Sequence, residues 1–314
     1  MKKKTNRKVY RIRNWKQYNA ALVQRGSLTL WVSDDLLTAW RNTEKTGKRG
    51  RPRTYSDTAV LCMATLKEVY HLPLRATQGL MLSIRQLLDL DLPVLDYSQL
   101  SRRCALLEVA LPRHQPSEPL HMVVDSTGVK VFGEGEWKVR QHGYTKRRTW
   151  RKLHLGADES SGEIIAAVVT TNNVADSQVL ADLLEQVEAE IEQVSGDGAY
   201  DKRHCYEAIR KRKAKAAIPP RRNAKIWQHG NSKAERLIRD ENLRRIRQVG
   251  RKQWKEESRY HRRSLAETQM FRVKMIFGER VSARQFAGQA TQVLVRCAAL
   301  NTMTHLGMPD SYAV

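Results

Sequence analysis

No stretch of this chain approaches the roughly eighteen consecutive apolar residues of a membrane-spanning helix, and its basic segments lack a strong lipid-facing side. The opening MKKKTNRK is followed by no apolar core before Trp15 and Tyr18, so the pattern of a secretory signal is missing as well. Both absences point away from a membrane partner and towards the cytoplasm. Cysteine is scarce. Cys62, Cys104, Cys205 and Cys297 are dispersed without a C-x-x-C pair, which argues against a zinc site or a disulfide framework and leaves ordinary buried thiols. Acids are the other shortage: Asp and Glu number 33 against 56 Lys and Arg, a formal charge of +23. Such a surplus calls for a polyanionic partner, and nucleic acid is favoured over a membrane surface.

What is present is ample for a buried core: 314 residues, 41% of them hydrophobic, with no internal repeat. The first break is TEKTGKRGRPRTYSD, Thr43 to Asp57, where Gly47, Gly50 and Pro52 interrupt any helix and basic residues crowd together. Its GKRGRPRTY resembles an AT-hook, an extended Gly-Arg-Pro core that lies in a narrow minor groove, which makes Arg51 and Arg53 candidate DNA contacts. A solvated basic linker explains the same residues. Next, TAVLCMATLKEVYHL, LRATQGLMLSIRQLLDL and DYSQLSRRCALLEVAL place apolar residues three and four apart, as amphipathic helices do. Asp96 and Ser98 are caps for the third, and Pro112 follows it. Residues 1–115 therefore read as an N-terminal all-helical DNA-binding region with a basic linker at 43–57. The short third helix carries Arg102 and Arg103 and is compatible with a helix-turn-helix.

From Pro119 the pattern changes. LHMVVDSTGVKVF, RKLHLGADE and EIIAAVVTTNN are rich in β-branched residues, with Gly162 marking a turn, and predict three antiparallel strands. DSQVLADLLEQVEAEI predicts a helix with Asp176 as its cap and a stripe of Val179, Leu183 and Val187. EQVSGDGAYD then reads as a short strand, KRHCYEAIRKRK as a helix and AAIPP as a last strand stopped by prolines. This is the order of a ribonuclease H-like α/β sandwich, a mixed five-stranded sheet with flanking helices, over residues 116–308. Within it, residues 201–256 hold 19 Lys or Arg against 6 Asp or Glu, a surplus of 13 that favours phosphate contact over a merely solvated face. YTKRRTWRK, between the first two strands, adds Lys146, Arg147 and Arg148 as DNA contacts, with Trp150 either beside them or in the core.

Three acids stand out. Asp125, in VVDST, falls where an apolar strand would bury it, and a buried charge is unfavourable unless paired or metal-bound. Asp197, in VSGDGAY, ends a second apolar run between Gly196 and Gly198. In this topology the first and fourth strands are neighbours, so the two carboxylates meet; the plainer alternatives are a turn for Asp197 and a pairing with Lys130 or an Arg for Asp125. The third is Glu267, in SRYHRRSLAETQMFRVK, a segment otherwise crowded with Arg and Lys. At about 100° per residue, Tyr260, Arg263, Glu267 and Lys274 fall within an arc of roughly 60°. Ala266, Met270, Val273 and Phe277 form an adjoining stripe that packs the helix on the sheet. Glu256 and Glu257 are the rival acids, and helical phase and distance disfavour them. Three carboxylates suit two Mg²⁺ ions that act on a phosphodiester.

Tyr260, Arg263, Glu267 and Lys274 match the Y-x2-R-x3-E-x6-K signature of bacterial insertion-sequence transposases with a DDE triad, and the chain looks most like the insertion sequence five group. VVDSTGVKV resembles the first-aspartate block of that family and SGDGAYD its second, and the likeness extends over RRTWRKLHLGAD, TNNVADS and RQFAGQATQVLVRCAALNTM. The resemblance implies a ribonuclease H-like fold and a catalytic, metal-binding triad of Asp125, Asp197 and Glu267 using Mg²⁺, with Mn²⁺ as a substitute. It also implies Tyr260, Arg263 and Lys274 on DNA near the cleaved end. The implied partners are double-stranded DNA, both inverted-repeat ends and target, and a homodimer or higher assembly on DNA in a nucleoid-associated cytoplasmic protein. Two other readings remain at this stage: a catalytically inert DNA-binding repressor of transposition, and a nuclease of the same fold without strand transfer.

Overall fold

The computed structural model describes residues 10–43, 54–112, 118–132, 150–228 and 236–314. Arg51, Arg53, Lys146, Arg147 and Arg148 lie outside them, as does the boundary expected at 115–116. At the centre is a mixed sheet. Strand β2 (Leu120–Val131) pairs antiparallel with β3 (Trp150–Asp158), which pairs antiparallel with β4 (Ile164–Thr171). On its other edge β2 runs parallel to β5 (Ile191–Ser195), and β5 to β6 (Lys215–Ala217), giving the order β4-β3-β2-β5-β6. The five expected strands are all present. A sixth, β7 (Arg280–Val281), joins β2 at Lys130 and Val131 and has no signal in the sequence beyond its two residues.

Alternation along β2 sends its side chains into two cores. Val123, Val129 and Val131 join Leu153, Leu155 and Ile164 in one, while Met122 and Val124 join Ile165, Val179 and Leu180 in the other. The second core is roofed by α7 (Leu180–Glu185) and α8 (Arg203–Lys211). The expected long helix after Asp176 is cut short: a 3-10 turn spans Asp176–Gln178 and α7 ends at Glu185, although Val179, Leu183 and Val187 are buried as predicted. Asp176 is not its cap. Its carboxylate is drawn away by stronger partners, Ser126 and Lys152.

The first core is roofed by α10 (Ser264–Phe277) and α11 (Phe286–Leu306) and shared with the N-terminal helices α2 (Leu28–Trp31), α3 (Asp34–Thr38), α4 (Asp57–Val69), α5 (Leu74–Leu87) and α6 (Tyr97–Cys104), which follow α1 (Trp15–Gln24). Ser56 caps α4 by accepting from Ala59 N at 3.1 Å, and Asp96 caps α6 by accepting from Ser98 N at 2.8 Å. Such caps contribute about 1 kcal/mol each. The tie across this core is partly ionic: Arg296 on α11 donates to Glu68 on α4 at 2.6 Å, and both are buried. The four cysteines are free thiols, and burial pushes Cys62, Cys205 and Cys297 up to about 12.

Helix α9 (Ile238–Glu257) is broken at Gly250, whose φ of 83° and ψ of 157° are non-helical. Arg245 nevertheless donates to Glu257 at 2.7 Å, and Trp254 Nε1 to Asn242 Oδ1 at 3.3 Å. Residues twelve apart on a straight helix would stand roughly 18 Å apart, so the two arms fold back on each other. Strand β1 (Tyr10–Ile12) closes the described chain against β8 (Ser311–Ala313). Among the described residues no helix is long and apolar enough to cross a membrane.

Candidate active site

The register between β2 and β5 pairs Val123 with Ser195. Two residues further along each parallel chain stand Asp125 and Asp197, so the topology carries both to the same end of the sheet. Gly196 is required for this approach. A Cβ there would lie 2.9 Å from Tyr200 Cδ2, closer than real side chains come, and a tight 3.1 Å from Val124 Cγ2. Asp197 then caps the 3-10 turn Gly198–Tyr200, accepting from Ala199 N at 2.8 Å, so it does form a turn while standing beside Asp125.

The third acid arrives on α10. Its stripe of Ala266, Met270, Val273 and Phe277 is buried against the sheet, and burial of each of the larger side chains contributes roughly 1.5–3 kcal/mol. That anchor leaves Glu267 on the flank facing Asp125. Arg263 joins them: it donates to Asp125 Oδ2 at 2.7 Å and, one turn from Glu267, is hydrogen-bonded to Glu267 Oε1. The side chains of Arg263 and Asp125 are each 20% exposed and that of Glu267 54%. Burial pushes the Asp125 carboxyl above its ordinary range, and Asp197 and Glu267 add to the effect against the Ser126 amide and Arg263. Lys274 reaches β2 as well, donating to Thr127 Oγ1 at 2.6 Å.

The signature is not one helical face. Tyr260–Arg263 forms a 3-10 turn after Arg259, which takes the left-handed conformation at φ 53°, and the α-helix begins only at Ser264. Helical phase therefore does not place Tyr260. Its ring is placed by contact, with the Arg263 guanidinium carbon 5.9 Å from its centroid and Trp254 at 6.0 Å. The turn is held to the sheet by Gln193 Nε2, which donates to Ser258 O at 2.9 Å, and by Arg262, which pairs with Glu159. Glu256 and Glu257 belong to α9, before this break, and Glu257 is engaged by Arg245.

The other basic candidates are scattered. Arg103 is spent within the fold, 2.6 Å from Asp57 and 3.2 Å from Tyr55 O. Arg102 is exposed and helps line a cavity of about 690 Å³ with Glu68, Tyr97 and Gln292, which none of the three acids lines. Trp150 is half-buried on β3, its ring over Gly128 and 5.7 Å from Lys130 Nζ, while Lys130 itself pairs with Glu279.

Among the described residues no three His, Cys, Asp or Glu side chains stand close enough to hold a metal ion together. In kind, the donors fit a hard divalent cation: oxygen only and carboxylate only, with the Arg263 guanidinium between Asp125 and Glu267.

Sequence reasoning passed over what lies behind Asp125. Ser126, Lys152, His154 and Asp176 form a hydrogen-bonded and ionic cluster there, and the signal for it is the block TNNVADS, which contains Asp176.

A cryo-EM structure of the piggyBac transposase synaptic complex with hairpin DNA aligns over 91% of this chain and 75% of that one, at 9% identity and a TM-score of 0.37. Residues 23–134 match a family described as a transposase DDE domain, and residues 116–302 match a second of the same description. The second match spans more than half of the chain and takes in the sheet, both aspartates and Glu267, and by it this chain belongs to the DDE-domain transposases.

Proposed function

We propose that the chain is a DNA transposase of the insertion sequence five type, which binds terminal inverted repeats, cleaves phosphodiesters at the element ends and transfers the 3′-hydroxyl into target DNA. The observation that carries this is the meeting of Asp125 and Glu267, from a strand and a helix, at Arg263, with Asp197 at the same end of the neighbouring parallel strand. In this reading the sheet is ribonuclease H-like and Asp125, Asp197 and Glu267 would hold Mg²⁺ or Mn²⁺, drawing closer than they stand here, and the ion would supply Lewis-acid charge to the attacking and leaving oxygens. The protein's own part is positioning. Tyr260, Arg263 and Lys274 surround the acids and hold the phosphates of the cleaved end, each cation offsetting phosphate charge in a part-buried setting where such pairs are stronger than in water. The folded-back α9 and the N-terminal helices extend the contact to flanking DNA, and two ends cut in concert require at least a dimer on DNA.

The test is a cleavage and strand-transfer assay on a labelled repeat end. Glu267→Gln abolishes both, a loss of several kcal/mol of transition-state stabilisation or roughly 10³-fold in rate, with DNA binding retained. Glu256→Gln and Glu257→Gln keep most activity. A dead Glu257→Gln beside an active Glu267→Gln removes the assignment, and cleavage without strand transfer turns the reading into that of a nuclease.

A further inference from the structure

Asp125 is held from behind. On β2 its side chain faces α10, while the next residue, Ser126, faces the opposite side of the sheet, as strand alternation requires. Ser126 bonds in both directions. Its backbone N–H donates to Asp125 Oδ1 at 2.8 Å, and its hydroxyl donates to Asp176 Oδ1 at 2.8 Å. Asp176 is itself fixed by Lys152 Nζ at 2.6 Å, and Lys152 is steadied by a second bond to Val174 O at 3.0 Å. His154, fully buried opposite Ser126 in the β2–β3 register, completes the surround, with Nδ1 3.5 Å from Asp176 Oδ1 and Nε2 2.8 Å from Thr170 Oγ1.

We propose that Asp176 is a positioning residue for the reaction, acting through the Ser126 hydroxyl to fix the backbone amide that orients the Asp125 carboxylate. The inference rests on the reading of Asp125 as a metal-binding acid. An amide donating to one carboxylate oxygen fixes the direction of the other, and partners of this kind behind a metal-binding group are worth about tenfold or more in metal affinity. Asp176 acts indirectly in this arrangement, since it lies on the far side of the strand and is committed to Lys152 and Ser126.

The experiment is calorimetric titration of the full chain with Mn²⁺ alone, alongside thermal unfolding. Ser126→Ala is expected to weaken Mn²⁺ binding about tenfold with the melting temperature nearly unchanged, and Ser126→Thr, which restores a hydroxyl, to recover it. Asp176→Asn weakens binding similarly, and the double variant Ser126→Ala/Asp176→Asn is no worse than either alone, since both act on one link. Asp125→Asn is the control. If it loses binding while Ser126→Ala binds as wild type, this inference is overturned and the active-site reading stands. If Asp125→Asn also binds as wild type, both fall.

Discussion

Two arginines in this molecule each sit between two acids, and their settings are opposite. Arg239 lies 2.8 Å from Asp201 and 3.2 Å from Asp240, with side chains no more than 4% exposed. Every partner there is itself tied: Arg239 stacks 3.8 Å over the Trp227 ring and donates to Lys225 O, Asp201 accepts from Tyr206, and Asp240 accepts from Trp227 N and Gln228 N. Arg263 holds Asp125 and Glu267 in a half-open site, where burial pushes the Asp125 carboxyl up despite that arginine. A closed, saturated cluster fixes a fold, whereas an open and unsaturated one leaves room for an exchange of cations.

The sharpest way to break the contrast is Arg239→Met. It leaves two buried carboxylates unpaired and is expected to cost about 3–5 kcal/mol in urea unfolding. A loss under about 1 kcal/mol would show that the cluster is no more structural than its counterpart. Arg263→Gln, by the same measurement, is expected to cost less, about 1–2 kcal/mol, because solvent reaches the Glu267 arm and a glutamine can still donate to Asp125. Its effect appears instead on DNA, where the slope of log affinity against log salt falls by about one phosphate contact.

The smallest effect has the most specific sign. Burial holds the Asp125 carboxyl above its usual range, so the folded chain keeps a proton that the unfolded chain releases, and stability falls as pH rises through that window. With a chelator present, Asp125→Asn is therefore expected to melt slightly higher than wild type at pH 7, the difference closing towards pH 4. Glu68 gives the opposite case. Burial raises it, but Arg296 and Lys67 outweigh burial and hold it below the carboxylate range. Its contribution is present above the unfolded pKa and is lost as pH falls through the folded one. Glu68→Gln is thus destabilised at pH 7 and converges with wild type in acid, and a Glu68→Gln variant that melts higher at pH 7 refutes the sign.

The open cluster was the more legible of the two in sequence. Asp125 and Asp197 announce themselves as charges at the ends of apolar runs, and the stripe beside Glu267 gives its helix a packing direction. The sheet order followed from the same runs. What stayed hidden depended on backbone conformations that no periodicity records. The left-handed turn at Arg259 takes Tyr260 off the helix, and the 3-10 turn at Asp176 frees its carboxylate for Ser126. Arg239 was hidden for a different reason. It sits in the most basic segment of the chain, where each arginine looked like a phosphate ligand, and only tertiary packing shows it to be buried.

That basic segment owes its form to Gly250. Stretched out, a helix would spread Arg244, Arg245, Arg247, Arg251, Lys252 and Lys255 along an axis of roughly 16 Å; folded at the glycine, they share little more than half that length. The linear charge density of the segment is thereby about doubled and moves towards that of a duplex, which carries one charge per roughly 1.7 Å. The φ of 83° at this position is one that side chains rarely adopt, so a single missing Cβ sets how closely the cations are spaced.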